Sequence, residues 1–117
     1  MTAIADNDLA SIQEGRNCLR RARDAWQKYR HFNQAQVDRI TLAMVEAGAR
    51  QAESLGRMAV DETGIGVVQS KRDKNLFATL DLWEDIKDLQ TVGVVHRDEA
   101  KRFYRIAEPY GVILAIV

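Results

Sequence analysis

The sequence predicts an α/β fold in which helices come first, an antiparallel hairpin follows and a buried strand comes last. Three observations carry this. Apolar residues recur at helical spacing over roughly the first ninety positions. After Leu89 the composition shifts to β-branched and aromatic residues. The chain then closes on a Pro109-Tyr110-Gly111 turn and the apolar run Val112-Ile113-Leu114-Ala115-Ile116-Val117. A continuous apolar run after such a turn reads as a strand covered on both faces, as in parallel sheets. Ligands of such sheets bind beyond the carboxyl ends of the strands. The expectation is therefore the opening part of a larger α/β enzyme, ending before its site and not catalytic as written.

The elements follow in order. Leu9, Ile12, Leu19, Ala22, Trp26 and Tyr29 form a first helical stripe, with Asp6 or Asn7 as N-cap. Phe32-Asn33-Gln34-Ala35-Gln36-Val37 is a helix start: Asn33 caps, and Gln36 three residues on reaches back to it. The second stripe runs through Ile40, Met44 and Ala47, with a bend expected near Gly48. A third passes through Ala52, Leu55, Met58 and Ala59 and stops at Gly64, a C′ glycine. One long helix is then expected, with Val68, Leu76, Leu80, Trp83, Ile86 and Leu89 on one side. Thr91–Val95 and Arg102–Ala107 read as strands, with His96–Lys101 as the loop between them. Pro109 interrupts the ladder and Gly111 turns the chain into the final strand.

Composition places the chain among ordinary globular segments. It is 46% hydrophobic and 29% charged, which argues against a disordered or membrane class. Lys+Arg and Asp+Glu balance at 17 each, so no net field favours nucleic acid or an anionic membrane. The single Cys18 excludes an internal disulfide and suits a reducing compartment. Residues 1–6 lack the basic region and apolar core of a secretory signal. The expectation is a cytoplasmic protein with neither nucleic-acid nor membrane partners.

Few residues invite a chemical reading. Gly64-Ile65-Gly66 lacks the preceding strand and third glycine of a dinucleotide loop, so it reads as a turn between helices. Cys18 has Arg16, Arg20 and Arg21 nearby in sequence, which would favour a thiolate. It nevertheless sits mid-helix beside an apolar stripe, with neither a histidine nor a helix N-terminus to activate it, and reads as a small packing residue. His31 and His96 stand apart, and the chain supplies too few ligands for zinc. The arginines at positions 16, 20, 21 and 23, with Lys28 and Arg30, are interspersed with Glu14 and Asp24 and read as a solvated helix face. Trp26, Phe77 and Trp83 are expected to fill helix–helix contacts. Lys71, Lys74 and Asn75 lie beside the Gly64 turn and serve either local pairing or docking onto another part of the protein.

Taken together, these segments resemble the N-terminal part of the aldehyde dehydrogenase superfamily, most closely its CoA-acylating branch. The matching residues are Met58-Ala59-Val60-Asp61-Glu62-Thr63-Gly64-Ile65-Gly66, Lys71 with Lys74-Asn75, Thr91-Val92-Gly93-Val94, and the clearest stretch, Ile106 to Val117. Tyr29 with Phe32–Asp38 resembles the family's second-helix start. The resemblance implies a helical part of the cofactor-binding domain over 1–90, an oligomerisation-arm hairpin over 91–107, and the first strand of a Rossmann-like sheet over 108–117.

What the resemblance implies chemically belongs to an intact enzyme. A cysteine thiolate attacks a small aldehyde, hydride passes to NAD or NADP, and the thioester is released to CoA. The nucleophilic cysteine of the family lies far downstream, Cys18 does not match it, and no catalytic residue is assigned within this chain. Only Ile116 and Val117 match positions that border the nicotinamide cofactor, through backbone and packing. Homo-oligomerisation through the hairpin is also implied. The competing class is a non-enzymatic helical interaction module.

Overall fold

A computed structural model of the chain describes residues 6–116. The chain divides into two compact units, Asn33–Gln90 and a second drawn from Met1–Phe32 with Thr91–Val117.

The unit Asn33–Gln90 is helical: α2 (Gln34–Arg50), α3 (Ala52–Thr63), α4 (Val68–Leu76), a π-helical segment (Phe77–Asp81) and α5 (Leu82–Ile86). Its start is the expected capping box. Asn33 Oδ1 accepts from the Gln36 amide at 3.0 Å, and Gln36 Oε1 accepts from the Asn33 amide at 2.9 Å. Two of the orphan donors of the helix N-terminus are thereby satisfied. The expected break between α2 and α3 falls at Gln51, shortly after Gly48. Gly48 serves packing instead, since a Cβ there would lie 2.9 Å from Thr79 Cγ2. Gly64 ends α3 in the left-handed region at φ 66°, and its amide donates to the Val60 carbonyl at 2.8 Å.

The helices α3 and α4 approach each other closely because Gly56 has no side chain. A Cβ on Gly56 would meet the Arg72 nitrogen at 3.1 Å, and Lys71 Cβ and the Val68 carbonyl oxygen at 3.2 Å each. Asn75 Nδ2 donates to the Ala52 carbonyl at 3.0 Å, tying α4 to the first turn of α3. Ala52, 3% exposed, and Val37, 7% exposed, are the buried apolar side chains of this unit.

The long helix predicted through Leu89 is continuous only to Leu76. The Thr79 hydroxyl donates to the carbonyls of Asn75 and Leu76, where the π segment passes Gly48. A π turn adds one residue per hydrogen-bonded ring and shifts the phase of the side chains beyond it. The expected stripe is consequently split. Val68, Leu76 and Trp83 are half-buried, while Leu80, Ile86 and Leu89 are exposed. Phe77, expected in a helix contact, is 66% exposed.

In the other unit, α1 (Asn7–Tyr29) is capped by Asp6, whose Oδ1 accepts from the amides of Asp8 and Leu9. Its residues are exposed up to Arg21, and only Ala22, Trp26 and Tyr29 are half-buried. The strands β1 (Gly93–Asp98) and β2 (Phe103–Ala107) form a two-stranded antiparallel sheet. Gly93 pairs with Ala107 and Asp98 with Phe103, with a register irregularity between Val94 and His96. His96–Asp98, expected in the loop, are therefore strand. The connection is shorter than predicted because Asp98 Oδ1 accepts from the Lys101 amide at 2.9 Å and Arg102 adopts φ 54°.

The terminal segment departs most from expectation. Residues 108–116 carry no strand, and Leu114 and Ile116 are 85% and 89% exposed. A strand requires a hydrogen-bonded neighbour, and the only sheet among the described residues is the hairpin. Val117 lies outside the described residues.

The Gly56 contact predicts opposite outcomes for two glycine substitutions. Gly56→Val should lower stability by about 1–3 kcal/mol, because the backbone of α4 must move to admit the side chain. Gly15→Ala, in α1 with nothing within 4 Å of its Cβ position, should raise helicity, with a gain of about 0.5–1 kcal/mol. Circular dichroism in a urea series checks both. A gain in stability on Gly56→Val would contradict the close approach.

Candidate functional site

The residues singled out for chemistry do not converge among the described residues. Cys18, expected as a small packing group, is exposed on α1, and Arg21 Nη2 donates to its sulfur at 3.3 Å. His96 stacks against Phe103 within the hairpin, with ring centroids 5.9 Å apart. The His31 amide donates to the Lys28 carbonyl in the turn after α1. Groups of three or more His, Cys, Asp or Glu able to hold a metal are absent among the described residues.

The cationic residues of α1 are dispersed as well. Arg16, Arg20 and Arg23 line a shallow groove along the helix with Leu19, Asp24 and Gln27. The Arg30 guanidinium lies 5.0 Å from the centre of the Trp26 ring. In α5 and the residues after it, the hydrogen bond and charge of Glu84 hold the Lys87 ammonium above the ordinary lysine range. Lys87 is surface-exposed, so this pair is local helix structure and not a reactive lysine. Among the described residues no helix is long and apolar enough to cross a membrane.

The Gly64-Ile65-Gly66 segment is a connection between helices, as its sequence implies. Both glycines have positive φ, and a Cβ on Gly66 would meet Lys71 Cε at 3.1 Å. Of the polar residues near that turn, Asn75 docks onto Ala52 of α3, a partner within the same helical unit.

What remains as a candidate site is the segment from Pro109 to Ile116. Pro109 and Gly111 are half-buried, and the residues after them are exposed. Gly111 has φ 106°, a conformation that other residues rarely adopt. A Cβ on Gly111 would lie 3.9 Å from Trp26 Nε1, so the turn rests on the last part of α1. Residues 112–116 offer backbone groups and apolar side chains, and no titratable group. That composition suits a wall that holds a ligand by packing; it provides neither nucleophile nor acid–base group. Of the two positions matched to a cofactor border, Ile116 lies in this exposed segment and Val117 outside the described residues. The role of Trp26 beneath the turn is the contact that sequence reasoning missed, since its helical spacing marks it only as a packing residue.

No protein-family model matches the chain. Individual relatives do. It is 37% identical over 109 residues to the bifunctional aldehyde-alcohol dehydrogenase AdhE of Escherichia coli strain K12, an alignment covering 93% of this chain and 12% of that protein. It is 39% identical over 98 residues to the acylating sulfoacetaldehyde dehydrogenase of Cupriavidus necator, covering 82% of this chain and 20% of that protein. Among solved structures, an acetylating aldehyde dehydrogenase from Geobacillus thermoglucosidasius superposes with a TM-score of 0.83 at 44% identity, over 88% of this chain and 23% of that one. The chain thus spans about an eighth to a quarter of the length of these proteins. By sequence and by fold, this chain is homologous to the N-terminal segment of the CoA-acylating aldehyde dehydrogenases.

Proposed function

We propose that the chain is the opening segment of an NAD- or NADP-dependent, CoA-acylating aldehyde dehydrogenase of the cytoplasm. The observation that carries this reading is the agreement of sequence and fold along nearly the whole chain with enzymes named for acylating or acetylating activity. In that enzyme residues 1–90 belong to the cofactor-binding domain, 91–107 form the oligomerisation arm, and 108–117 supply the first strand of the cofactor sheet.

In that enzyme a nicotinamide cofactor would supply the hydride acceptor and CoA would be the acyl acceptor. This chain contributes neither the nucleophile nor the acid–base groups. Its residues act by shape. The turn at Pro109–Gly111 directs 112–117 into the sheet, and Ile116 and Val117 border the cofactor through backbone and packing. The exposure of residues 112–116 supports this reading, since an apolar segment without neighbours has its surface open for later strands to cover. Cys18, exposed on α1 with Arg21 donating to its sulfur, is not the nucleophile on this reading, because it does not match the family's catalytic cysteine, which lies far downstream.

Two expectations test the proposal. The 117 residues alone should give no aldehyde- and CoA-dependent reduction of NAD or NADP, followed by nicotinamide absorbance. Turnover that Cys18→Ala abolished would contradict the assignment. In the complete enzyme, Ile106→Asp places a charge on an exposed apolar position of β2 while leaving the backbone ladder intact. If the hairpin is the arm, the oligomer should dissociate to a smaller species in sedimentation. An unchanged mass would remove the arm from the assembly.

A further inference from the structure

We infer that Trp26 is a positioning residue for the terminal segment, acting through the Pro109–Gly111 turn; this rests on the reading of 112–117 as a cofactor-bordering strand. Trp26 Nε1 is buried and has no hydrogen-bond partner among the described residues. Buried donors are almost always paired, so an isolated one marks a place where an acceptor is due. The Arg30 guanidinium lies over the ring, 5.0 Å from its centre, and a Cβ on Gly111 would lie 3.9 Å from the indole nitrogen.

Gly111 combines this contact with a φ of 106°, so the backbone both turns sharply and rests on the indole at one position. Pro109 fixes the entry to the same turn through its ring. Beyond Gly111 every described residue is exposed. The contact with Trp26 is therefore the last fixed point from which the direction of 112–117 is set. When that segment enters a sheet, the turn shifts so that one of its backbone carbonyls accepts from the Trp26 N–H. The bond forms only in the docked state, and so it favours docking.

Trp26→Phe removes the donor and keeps an aromatic ring, and Trp26→Ala removes the seat as well. In the complete enzyme, Trp26→Phe should raise KM for the nicotinamide cofactor about five-fold, the effect of one net hydrogen bond, with kcat and Tm nearly unchanged. Trp26→Ala should raise it further. A fall in Tm with the cofactor KM unmoved would make Trp26 a structural residue only and overturn the inference. Hydrogen exchange separates this from failure of the enzymatic reading, because it needs no reaction. Amides 112–116 of the complete protein should exchange faster in Trp26→Phe, while the hairpin amides 93–98 keep their parent rates. Equal exchange in parent and variant would refute the role of Trp26 whatever the protein catalyses.

Discussion

The helical unit depends on how closely α3 and α4 can approach at Gly56. With backbone atoms of α4 little more than 3 Å from where a Cβ would stand, the two helices meet through main chain instead of through interdigitated large side chains. Ala52, one turn earlier on α3, allows the same approach and offers its carbonyl to Asn75. Gly48 repeats the device on α2, where it admits Thr79. The π segment lies at this second contact. Thr79 there bonds to the carbonyls of Asn75 and Leu76, and Phe77 and Leu80 of the π segment are exposed. Small residues thus set the geometry of the unit, and several of its larger apolar side chains, among them Met44, Leu55, Met58 and Phe77, are exposed.

That arrangement bears on function through burial. A domain folds because apolar surface leaves water, at about 25 cal/mol per Å², and many large apolar side chains of the described residues remain exposed. The first half of α1, the π segment and the terminal residues 112–116 all present apolar side chains to solvent. On the proposed reading these surfaces are faces of a larger enzyme, covered by the strands and helices of the rest of it. Trp26 and Gly111 then have a specific place: they join the end of α1 to the beginning of the strand that the enzyme requires.

Local signals in the sequence were reliable where the physics is local. The Asn33–Gln36 capping box, the Asp6 cap and the left-handed Gly64 stop each follow from a few neighbouring residues, and each is present. The errors arise where another element decides. Gly48 reads as a bend from its own propensity, yet it lies inside α2 and packs against Thr79, far along the chain. His96–Asp98 read as loop because they are polar, but a two-stranded sheet exposed on both faces accepts polar residues in its strands. The run 112–116 reads as a covered strand because it is apolar throughout, and covering requires neighbours that the described residues do not pair with it. The candidate site was legible only through family resemblance, since the segment carries no reactive side chain whose spacing could reveal chemistry.

Calorimetry of the isolated 117 residues tests the central claim, that the apolar side chains exposed on these elements are covered only within a larger protein. A complete domain of 117 residues should unfold with a heat-capacity increment of about 1.4–1.8 kcal/mol/K, at the usual value per residue. The isolated residues should show a distinctly smaller increment and a broad transition dominated by the helical unit. A single sharp transition with the full increment, in a monomer, would contradict it.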